Sequence, residues 1–238
     1  MLNREMEDIL GGAKKHGWVL EPEAKRLLSL AGIPVPDFCW VPTLPALLEA
    51  AAAIGYPVVA KVVSPAIVHK SEHNAVAVGI TDDAALTGVF ERFSRMPGFA
   101  GILIEPLIAG IELIIGAKID HQFGPVILLG IGGTAVEIYQ DIALRMAPLT
   151  DGDVFSMVES LAGVRLLKGY RGAEPVDMAA LCGLVTNFSA LVMDLSTMID
   201  TVDLNPVKCT GRKCVVADAR IMLAGEGASH QPRRPAGF

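Results

Sequence analysis

The chain has 238 residues, of which 52% are hydrophobic and only 5% are aromatic. This length suits two closely packed subdomains, and the composition predicts an aliphatic core of β-branched strands and Ala/Leu-rich helices. A formal charge of -6 argues against nucleic acid or anionic lipid as partners, because both require clustered positive charge. The most apolar region, 97–119, is interrupted by charges and falls short of the roughly 20 apolar residues that span a membrane.

The N-terminal segment and the cysteines indicate the compartment. Residues 1–8 are acidic and polar, without the cationic and then apolar pattern of a signal peptide. Cys39, Cys182, Cys209 and Cys214 lack metal-binding spacing, and in a chain of this size they are most simply reduced core thiols. We therefore expect a soluble, cytoplasmic protein.

Helix start and stop signals and β-branched runs predict the secondary structure. In chain order they give a surface helix over 21–32, a helix over 45–54 between a Thr43 cap and Gly55, strands over 57–63 and 75–80, a helix over 82–96, strands over 101–105, 112–120 and 126–129, helices over 151–162 and 175–193, and a hairpin over 198–223. This mixture suggests an α+β architecture over a doubly wound sheet.

Two segments in the first half carry polar groups that suit an anionic ligand. Lys61 lies among apolar strand residues, where a buried ammonium is costly unless an anion meets it, so we expect it to face phosphates in a cleft. An edge lysine whose ammonium reaches solvent is equally consistent with this pattern. The loop 68–75, with His69, Lys70 and Ser71, could close over phosphates, although solvated loops often have the same composition.

Two further segments suit a nucleotide. Pro106 follows a buried strand, so the backbone over Glu105–Leu107 leaves the sheet with unpaired groups that can pair with an adenine edge. Glu112 opens the next strand and could reach a ribose hydroxyl, or could simply face solvent. The cluster 130–133, with Gly132 and Gly133, suits a close approach of backbone to ligand, but it matches neither a dinucleotide fingerprint nor a P-loop.

The final hairpin predicts a metal site. Gly211 and Arg212 fit the centre of a type II′ turn, whose first central position favours glycine. That register places Asn205 opposite Asp218, with Cβ atoms about 4.5 to 5.5 Å apart. One amide oxygen and one carboxylate can then share Mg²⁺ while leaving positions for phosphates. Asn205 could otherwise be an ordinary polar residue beside Pro206.

These segments, in this order, resemble the β subunit or β domain of ADP-forming acetyl-CoA synthetases, which are ATP-grasp proteins related to succinyl-CoA synthetase β. The resemblance covers roughly 21–223. It is carried by 55–61, His69-Lys70-Ser71, 105–112, 130–133, Asp203-Leu204-Asn205-Pro206 and Asp218-Ala219-Arg220.

The resemblance implies an ATP-grasp fold of two packed α+β subdomains with the nucleotide between them. We expect an N-terminal extension over 1–20, subdomains over 21–100 and 101–224, and a flexible tail over 225–238. ATP or ADP would be held by Lys61, Lys70, the Glu105–Leu107 backbone, Glu112, Gly132 and Gly133, and Mg²⁺ by Asn205 and Asp218.

The resemblance also implies a partner and a phosphoryl relay. A separate CoA-binding α subunit would carry a phosphohistidine, so that the working form is a hetero-oligomer, and His69 resembles a second, relaying histidine. Glu137 resembles an acid that receives the incoming phosphohistidine, and Arg145 lies in a stretch typical of the family. Relatives have paired glycines after His-Lys-Ser, whereas this loop continues as Glu72-His73-Asn74-Ala75.

Two other functions remain open at this stage. A carboxylate-amine ligase of the same fold would pass an acyl phosphate to an amine without a phosphohistidine or an α partner. A nucleotide-sensing regulatory subunit would bind nucleotide without phosphoryl transfer, and the lost glycines in the loop motivate this alternative.

Overall fold

The computed structural model describes residues 2–133 and 141–225, and these ranges hold seven helices and eleven strands. The helices are α1 (Arg4–Ala13), α2 (Glu21–Leu30), α3 (Leu44–Ile54), α4 (Asp83–Phe93), α5 (Asp151–Ser160), α6 (Val164–Leu167) and α7 (Met178–Leu195). The strands are β1 (Trp18–Val19), β2 (Cys39–Val41), β3 (Val58–Val63), β4 (Val76–Ile80), β5 (Gly101–Pro106), β6 (Ile111–Asp120), β7 (Gly124–Ile131), β8 (Ile142–Met146), β9 (Ile199–Cys209), β10 (Cys214–Val216) and β11 (Ala219–Leu223).

The strands form two sheets. The larger has seven strands in the order β1-β11-β9-β6-β7-β8, with β10 also paired to β9, and the smaller has the order β2-β5-β3-β4. Every strand pair in the described ranges is antiparallel, so the expected doubly wound sheet, which needs parallel strands, is wrong. Short turns explain the difference: between β6 and β7, Asp120 Oδ1 accepts hydrogen bonds from the N–H groups of Gln122 and Phe123 at 2.8 and 2.9 Å.

The sheets divide the chain differently from the expected subdomains. β5 pairs with β3 along its whole length, from Val58 opposite Pro106 to Val63 opposite Gly101, so the smaller sheet extends beyond residue 100. The N-terminal segment is also part of the fold, because Met6, Leu10 and Ala13 of α1 are buried beside the larger sheet and β1 pairs with β11. The expected tail lies outside the described residues, apart from Gly225.

The helix α2 is buried rather than superficial, which corrects the sequence expectation. Leu27 and Leu28 join the core of the larger sheet, while Glu21 and Lys25 are only 1% and 0% exposed. Capping signals locate the ends of a helix but do not show which of its faces is covered. The Glu21 and Lys25 side chains lie in the junction between the two sheets.

The long apolar helix α7 is a core element. It is the one helix in the described ranges that is long and apolar enough to cross a membrane, but half of its apolar stretch is buried. Leu184, Val185, Phe188 and Val192 pack in the core of the larger sheet. An apolar helix buried in this way is the ordinary core helix of a folded domain.

The hairpin register is as predicted. Cys209 lies opposite Cys214, and Val207 lies opposite Val216. Further along, the Asn205 N–H donates to the Asp218 carbonyl at 3.2 Å, so these two residues also face each other. The arithmetic of a two-residue turn therefore located both members of the expected metal pair.

The turn type is not as predicted. Gly211 is absent from the glycines with positive φ, although a type II′ turn requires positive φ at its first central position. The Thr210 side chain closes the turn instead, since its Oγ1 accepts from the N–H groups of Arg212 and Lys213 at 3.3 and 3.2 Å. Space at 211 is limited, because a Cβ there would lie 3.1 Å from the Pro175 carbonyl oxygen and 2.8 Å from the end of the flexible Glu174 side chain.

Gly110, between β5 and β6, gives a test of the fold. Its φ is +150, and a Cβ on it would lie 2.6 Å from the carbonyl oxygen of Cys209 on β9. We predict that Gly110→Ala lowers the free energy of unfolding by about 1–3 kcal/mol, because backbone must move and the residue is strained. Urea denaturation monitored by circular dichroism measures the change.

Gly11 in α1 is the matched control. A Cβ at this position would meet nothing within 4 Å, so Gly11→Ala should stabilise the protein by about 0.5–1 kcal/mol. A Gly110→Ala protein as stable as wild type would show that β6 and β9 do not approach each other as closely as described.

Candidate nucleotide and phosphoryl-transfer site

A cleft of about 240 Å³ lies between the two sheets and collects most of the residues predicted from the sequence. Lys61 reaches it from β3, and Asn205 and Asp218 from the hairpin of the larger sheet. The connection between the sheets contributes Glu105, Pro106, Leu107, Ile108 and Glu112. Residues more than 150 positions apart in the sequence thus line one space, as a ligand between two layers requires.

Several predicted residues lie outside this cleft. His69, Lys70, Gly132, Gly133 and Arg145 are not among the residues that line it. Lys70 and the two glycines nevertheless contact residues that do, whereas Arg145 does not. Glu137 lies outside the described residues.

Arg145 is on the exposed edge strand β8. Its guanidinium donates to the Leu144 carbonyl at 2.9 Å and to Ser156 Oγ at 3.2 Å. β8 is at the end of the larger sheet opposite to β1 and β11, so this side chain is held on the surface by local contacts.

The ammonium of Lys61 faces the cleft, as expected, and it also meets two carboxylates that the sequence did not reveal; its contact with phosphates stays a prediction. Its Nζ lies 2.7 Å from Glu21 Oε1 and 3.0 Å from Glu105 Oε1, and it donates to the Ala217 carbonyl at 2.6 Å. Lys61 is 4% exposed and both glutamates are 3% exposed or less. Burial of an ammonium at this level requires such partners.

Two more lysines complete this buried ion cluster, which consists of Glu21, Lys25, Lys61, Lys70, Glu105 and Asp218. Lys25 Nζ donates to Glu105 Oε2 and lies 3.5 Å from Glu21 Oε1. Lys70 Nζ lies 2.8 Å from Glu21 Oε2 and 3.4 Å from Asp218 Oδ1. Three cations therefore face three anions, and the cluster is neutral overall.

The pKa values of the cluster follow from this pairing. Burial alone would raise the pKa of Glu21, but the ammonium groups of Lys61, Lys70 and Lys25 outweigh it and hold the pKa well below its usual range. Burial alone would lower the pKa of Lys61, and the facing carboxylates raise it above its usual value instead. Burial, together with the neighbouring Lys61 ammonium, lowers the pKa of Lys25.

The pKa of Asp218 shifts in the opposite direction to that of Glu21. Burial and the nearby Glu21 carboxylate raise its pKa, although Lys61 and Lys70 act in the other direction. Its Oδ1 accepts the N–H of Ala219 at 2.9 Å, and its side chain is 31% exposed. Asp218 is therefore the member of the cluster with a carboxylate turned partly to the cleft.

The connection between the sheets is more fully hydrogen-bonded than expected. The Leu107 N–H donates to the Pro57 carbonyl at 3.2 Å, so it is not one of the unpaired groups predicted after Pro106. The pairing of β3 with β5 continues one residue past the end of β5, so the Leu107 N–H is occupied. Leu107 itself is 42% exposed and presents an apolar side chain to the cleft.

Glu112 is paired with a residue that sequence reasoning missed. Lys208 lies directly opposite it on β9, and the Lys208 Nζ is 2.5 Å from Glu112 Oε1. Gly132 packs against the same residue, because its N–H donates to the Glu112 carbonyl at 2.6 Å and a Cβ would lie 2.8 Å from the Glu112 backbone. The glycine cluster thus brings β7 against Glu112. The hairpin register alone would not have found Lys208, because regular alternation places it on the opposite face from Asn205, and the register of β6 on β9 shifts between them.

The loop residue His69 contacts a second residue that sequence reasoning left without a role. Arg220 Nη1 lies 2.9 Å from His69 Nδ1 and 3.2 Å from Nε2, and Arg220 Nη2 lies 3.1 Å from Asp203 Oδ2. The contact brings the Arg220 guanidinium, which is held by a carboxylate on its other side, against the His69 ring. His69 is half exposed, so this nitrogen pair lies at the surface next to the ion cluster.

Asn205 and Asp218 form at most part of a metal site. The described residues contain no group of three or more His, Cys, Asp or Glu side chains that could hold a metal ion. Two oxygen ligands facing each other beside a phosphate-sized space suit Mg²⁺, which usually keeps water and takes phosphate oxygens as its other ligands. The donor set fits a hard cation that arrives with a polyphosphate.

The fold and this site define an ATP-grasp protein. The ATP-grasp domain family matches residues 12–223, and the chain therefore belongs to that family. The β subunit of acetate–CoA ligase [ADP-forming] II from Pyrococcus furiosus is 38% identical over 230 residues, which are 92% of this chain and 97% of the relative. The 4-hydroxybutyrate–CoA ligase [ADP-forming] of Nitrosopumilus maritimus is 37% identical over 215 residues, and there the chain spans only 31% of the relative.

Solved structures agree with this assignment. Acetyl-coenzyme A synthetase 1 of Ca. Korarchaeum cryptofilum, in complex with coenzyme A and Ca-AMPCP, has a TM-score of 0.85 and 35% identity, covering 92% of this chain and 99% of the other. A second structure of that enzyme holds Mg-AMPPCP, with its phosphohistidine segment pointing towards the nucleotide-binding site, and has a TM-score of 0.80 at 34% identity. The predicted ATP-grasp fold and the resemblance to ADP-forming acetyl-CoA synthetase β subunits are confirmed.

Removal of the Lys61 ammonium tests the ion cluster. We predict that Lys61→Met lowers the free energy of unfolding by about 3–5 kcal/mol at pH 7, because Glu21 and Glu105 stay buried with less compensation. The Glu21 carboxylate has a lower pKa in the folded protein than its value of 4.5 in the unfolded chain. Its contribution to the free energy of unfolding is therefore fully present above pH 4.5 and is lost progressively as the pH falls towards the folded pKa. The difference between variant and wild type should therefore shrink below that pH.

Lys118 provides the control, because it lies exposed on β6 outside the cluster. Lys118→Met should change stability by no more than about 0.5 kcal/mol. Urea titrations at pH 7 and pH 4 measure both effects, and a Lys61→Met protein with wild-type stability at pH 7 would contradict the described pairing.

Proposed function

We propose that this chain is the nucleotide-binding β subunit of an ADP-forming acyl-CoA synthetase of the acetate–CoA ligase type. The observation that supports this proposal most directly is a cleft lined from both sheets by Lys61, the 105–108 connection, Glu112, Asn205 and Asp218. Family membership and relatives named as ADP-forming CoA ligases support the activity. The relative of which the chain covers 97% is named as a β subunit, and that name supports a separate α partner.

The nucleotide is proposed to lie along the cleft. Its adenine would lie against Leu107 and the backbone of the connection, and its ribose beside Glu112 and Lys208. Lys61 and Lys70 would contact the phosphates. Asn205 and Asp218 would hold Mg²⁺, which offsets phosphate charge during transfer.

His69 is proposed to relay the phosphoryl group. A ring nitrogen lone pair attacks the phosphorus of the partner's phosphohistidine, forming one N–P bond as the partner's N–P bond breaks. A terminal phosphate oxygen of ADP then attacks the phosphoryl group on His69 and releases the neutral ring. Arg220, held by Asp203, supports this role because it places a cation beside the ring and therefore beside the transferred group.

The altered loop supports retention of this role. Asn74 has a positive φ of 51, a conformation in which glycine is favoured and which asparagine tolerates better than most residues. The Lys70 carbonyl accepts from the Ala75 N–H at 2.9 Å, and Ala75 is fully buried. The loop thus keeps a glycine-like turn without its glycines, which weakens the motive for a purely sensing subunit.

The assembly and location are part of the proposal. The partner would be a CoA-binding α subunit with a phosphohistidine, in a hetero-oligomer located in the cytoplasm. The free thiols of Cys182, Cys209 and Cys214, all buried, suit a reducing compartment.

Phosphoryl transfer with the cognate α subunit tests the function. The complex is incubated with magnesium and ATP labelled on the γ-phosphate, and a label that is acid-labile and base-stable should appear on histidine. We predict that His69→Ala binds ATP normally but loses most transfer to the α subunit, since the relaying nitrogen is gone. His73→Ala, in the same loop and also exposed, should transfer label like wild type.

The outcomes separate the possible functions. Transfer at the wild-type rate in His69→Ala would reduce His69 to a phosphate contact. Nucleotide binding without any label on either chain would favour the sensing subunit. Turnover of the isolated chain with an amine acceptor would favour the carboxylate-amine ligase.

Asp218→Asn tests the metal pair, because it removes the pair's only formal charge and keeps the shape. We predict that affinity for Mg-ATP falls at least tenfold, about 1.4 kcal/mol, while affinity for metal-free ATP does not fall. Lys70 loses a competing carboxylate in this variant, so metal-free phosphate should bind at least as well.

Isothermal titration with and without magnesium measures both affinities. Asp200→Asn, an exposed change on the same hairpin, is the control and should leave both affinities unchanged. Wild-type magnesium dependence in Asp218→Asn would remove Asp218 from the site.

A further inference from the structure

The Glu21 carboxylate forms ion pairs with both lysines that are proposed to bind phosphate. One carboxylate oxygen, Oε1, lies 2.7 Å from Lys61 Nζ, and the other, Oε2, lies 2.8 Å from Lys70 Nζ. The carboxylate is 1% exposed and comes from α2, whereas the two lysines come from β3 and the following loop. A carboxylate bridging two ammonium groups has the charge and the spacing of two phosphate oxygens.

The second of these contacts is the weaker one. Among the described residues Oε2 finds no hydrogen-bond donor of good geometry, although Lys70 lies within ion-pair distance. We regard the contact as an ion pair, because Coulomb attraction depends on distance and little on angle. The Lys70 ammonium therefore retains hydrogen-bonding capacity for another anion.

Lys25 provides Glu21 with an alternative partner. Its Nζ is fully buried, one helical turn from Glu21, and lies 3.5 Å from Oε1. Glu21 also stands at the first residue of α2, where the helix dipole favours a negative charge. The carboxylate would thus remain compensated if Lys61 and Lys70 turned to a different anion.

We propose that Glu21 is an internal competitor of the nucleotide phosphates, so that its carboxylate sets the affinity of the cleft for polyphosphate. In the free chain Glu21 neutralises Lys61 and Lys70, and on binding it yields them to phosphate oxygens and keeps Lys25. This inference rests on the proposed nucleotide-binding function. It assigns to Glu21 and Lys25, which do not line the cleft, a positioning role through the two phosphate-binding lysines.

The charge balance of the cluster gives the sign of each variant. Glu21→Gln leaves three cations and two anions, so the cluster gains affinity for a polyanion while the free chain loses stability. Lys25→Met leaves two cations and three anions, so polyanion affinity falls. The double variant restores neutrality, so we expect it to fold, and in it Lys61 and Lys70 are without Glu21.

Titration calorimetry with inorganic tripolyphosphate, adenosine and Mg-ATP tests the proposal on the full chain. We expect Glu21→Gln to bind tripolyphosphate at least tenfold more tightly than wild type, about 1.4 kcal/mol, and Lys25→Met to bind it more weakly. Adenosine has no phosphate, so its affinity should be the same in every variant. Glu23→Gln removes the same charge from the same helix outside the cluster, and it should match wild type.

The readout separates this role from a merely structural one. Loss of packing alone would lower stability and weaken all three ligands together, whereas competition strengthens only those with phosphate. Should Glu21→Gln prove too unstable, the double variant should still bind tripolyphosphate more tightly than Lys25→Met. Two results would overturn the competitor role. One is a Glu21→Gln protein that binds tripolyphosphate no more tightly than wild type. The other is a double variant that binds it no more tightly than Lys25→Met. Absence of Mg-ATP binding in wild type would instead overturn the proposed function.

Discussion

Three lysines and two glutamates are buried where the two sheets meet, and the arrangement of the cleft depends on their mutual neutralisation. Each charge is at most 9% exposed, and a charge removed from water to this degree is tolerated only beside an opposite charge. Glu21 comes from α2, Lys61 from β3 and Glu105 from β5, so the ion pairs connect a helix of the larger layer to the smaller sheet. Asp218 on the hairpin of the larger sheet extends this connection through Lys70. The contacts that stabilise the junction therefore involve the same two lysines that are proposed to bind phosphate.

The two sheets contribute different chemistry to this cleft. The smaller sheet and its following loop supply ammonium groups, and the hairpin of the larger sheet supplies the oxygen ligands Asn205 and Asp218. Close backbone packing fixes their distance from Glu112: Gly110 meets Cys209 on β9, and Gly132 meets Glu112 at the start of β6. In the proposed binding mode a polyphosphate with its cation bridges the sheets and needs both contributions, so the proposed site residues are spread over most of the chain.

Local patterns in the sequence predicted local structure well. Glycine, proline and β-branched residues located most of the helices and strands, and a two-residue turn was sufficient to place Asn205 opposite Asp218. The same reasoning failed where one residue type suits more than one kind of turn. Gly211 was assigned to positive φ, whereas the Thr210 side chain closes the turn and the φ of Gly211 is not positive. The parallel sheet was inferred from mixed strands and helices, but strand direction depends on connections that the composition does not reveal.

Pairing between distant charges was the part that the sequence could not show. Lys61 was correctly expected to need an anion, but its nearest carboxylate is 40 positions away, in a helix that was predicted to lie at the surface. Buried and solvated lysines have the same local sequence, because the difference lies in what the rest of the chain brings to them. The same holds for Arg220, which acquires a role only when the register sets it opposite Asp203 and the loop brings His69 to it. A site built from charges compensating one another is therefore specified by the fold, while each member looks like an ordinary polar residue in its own segment.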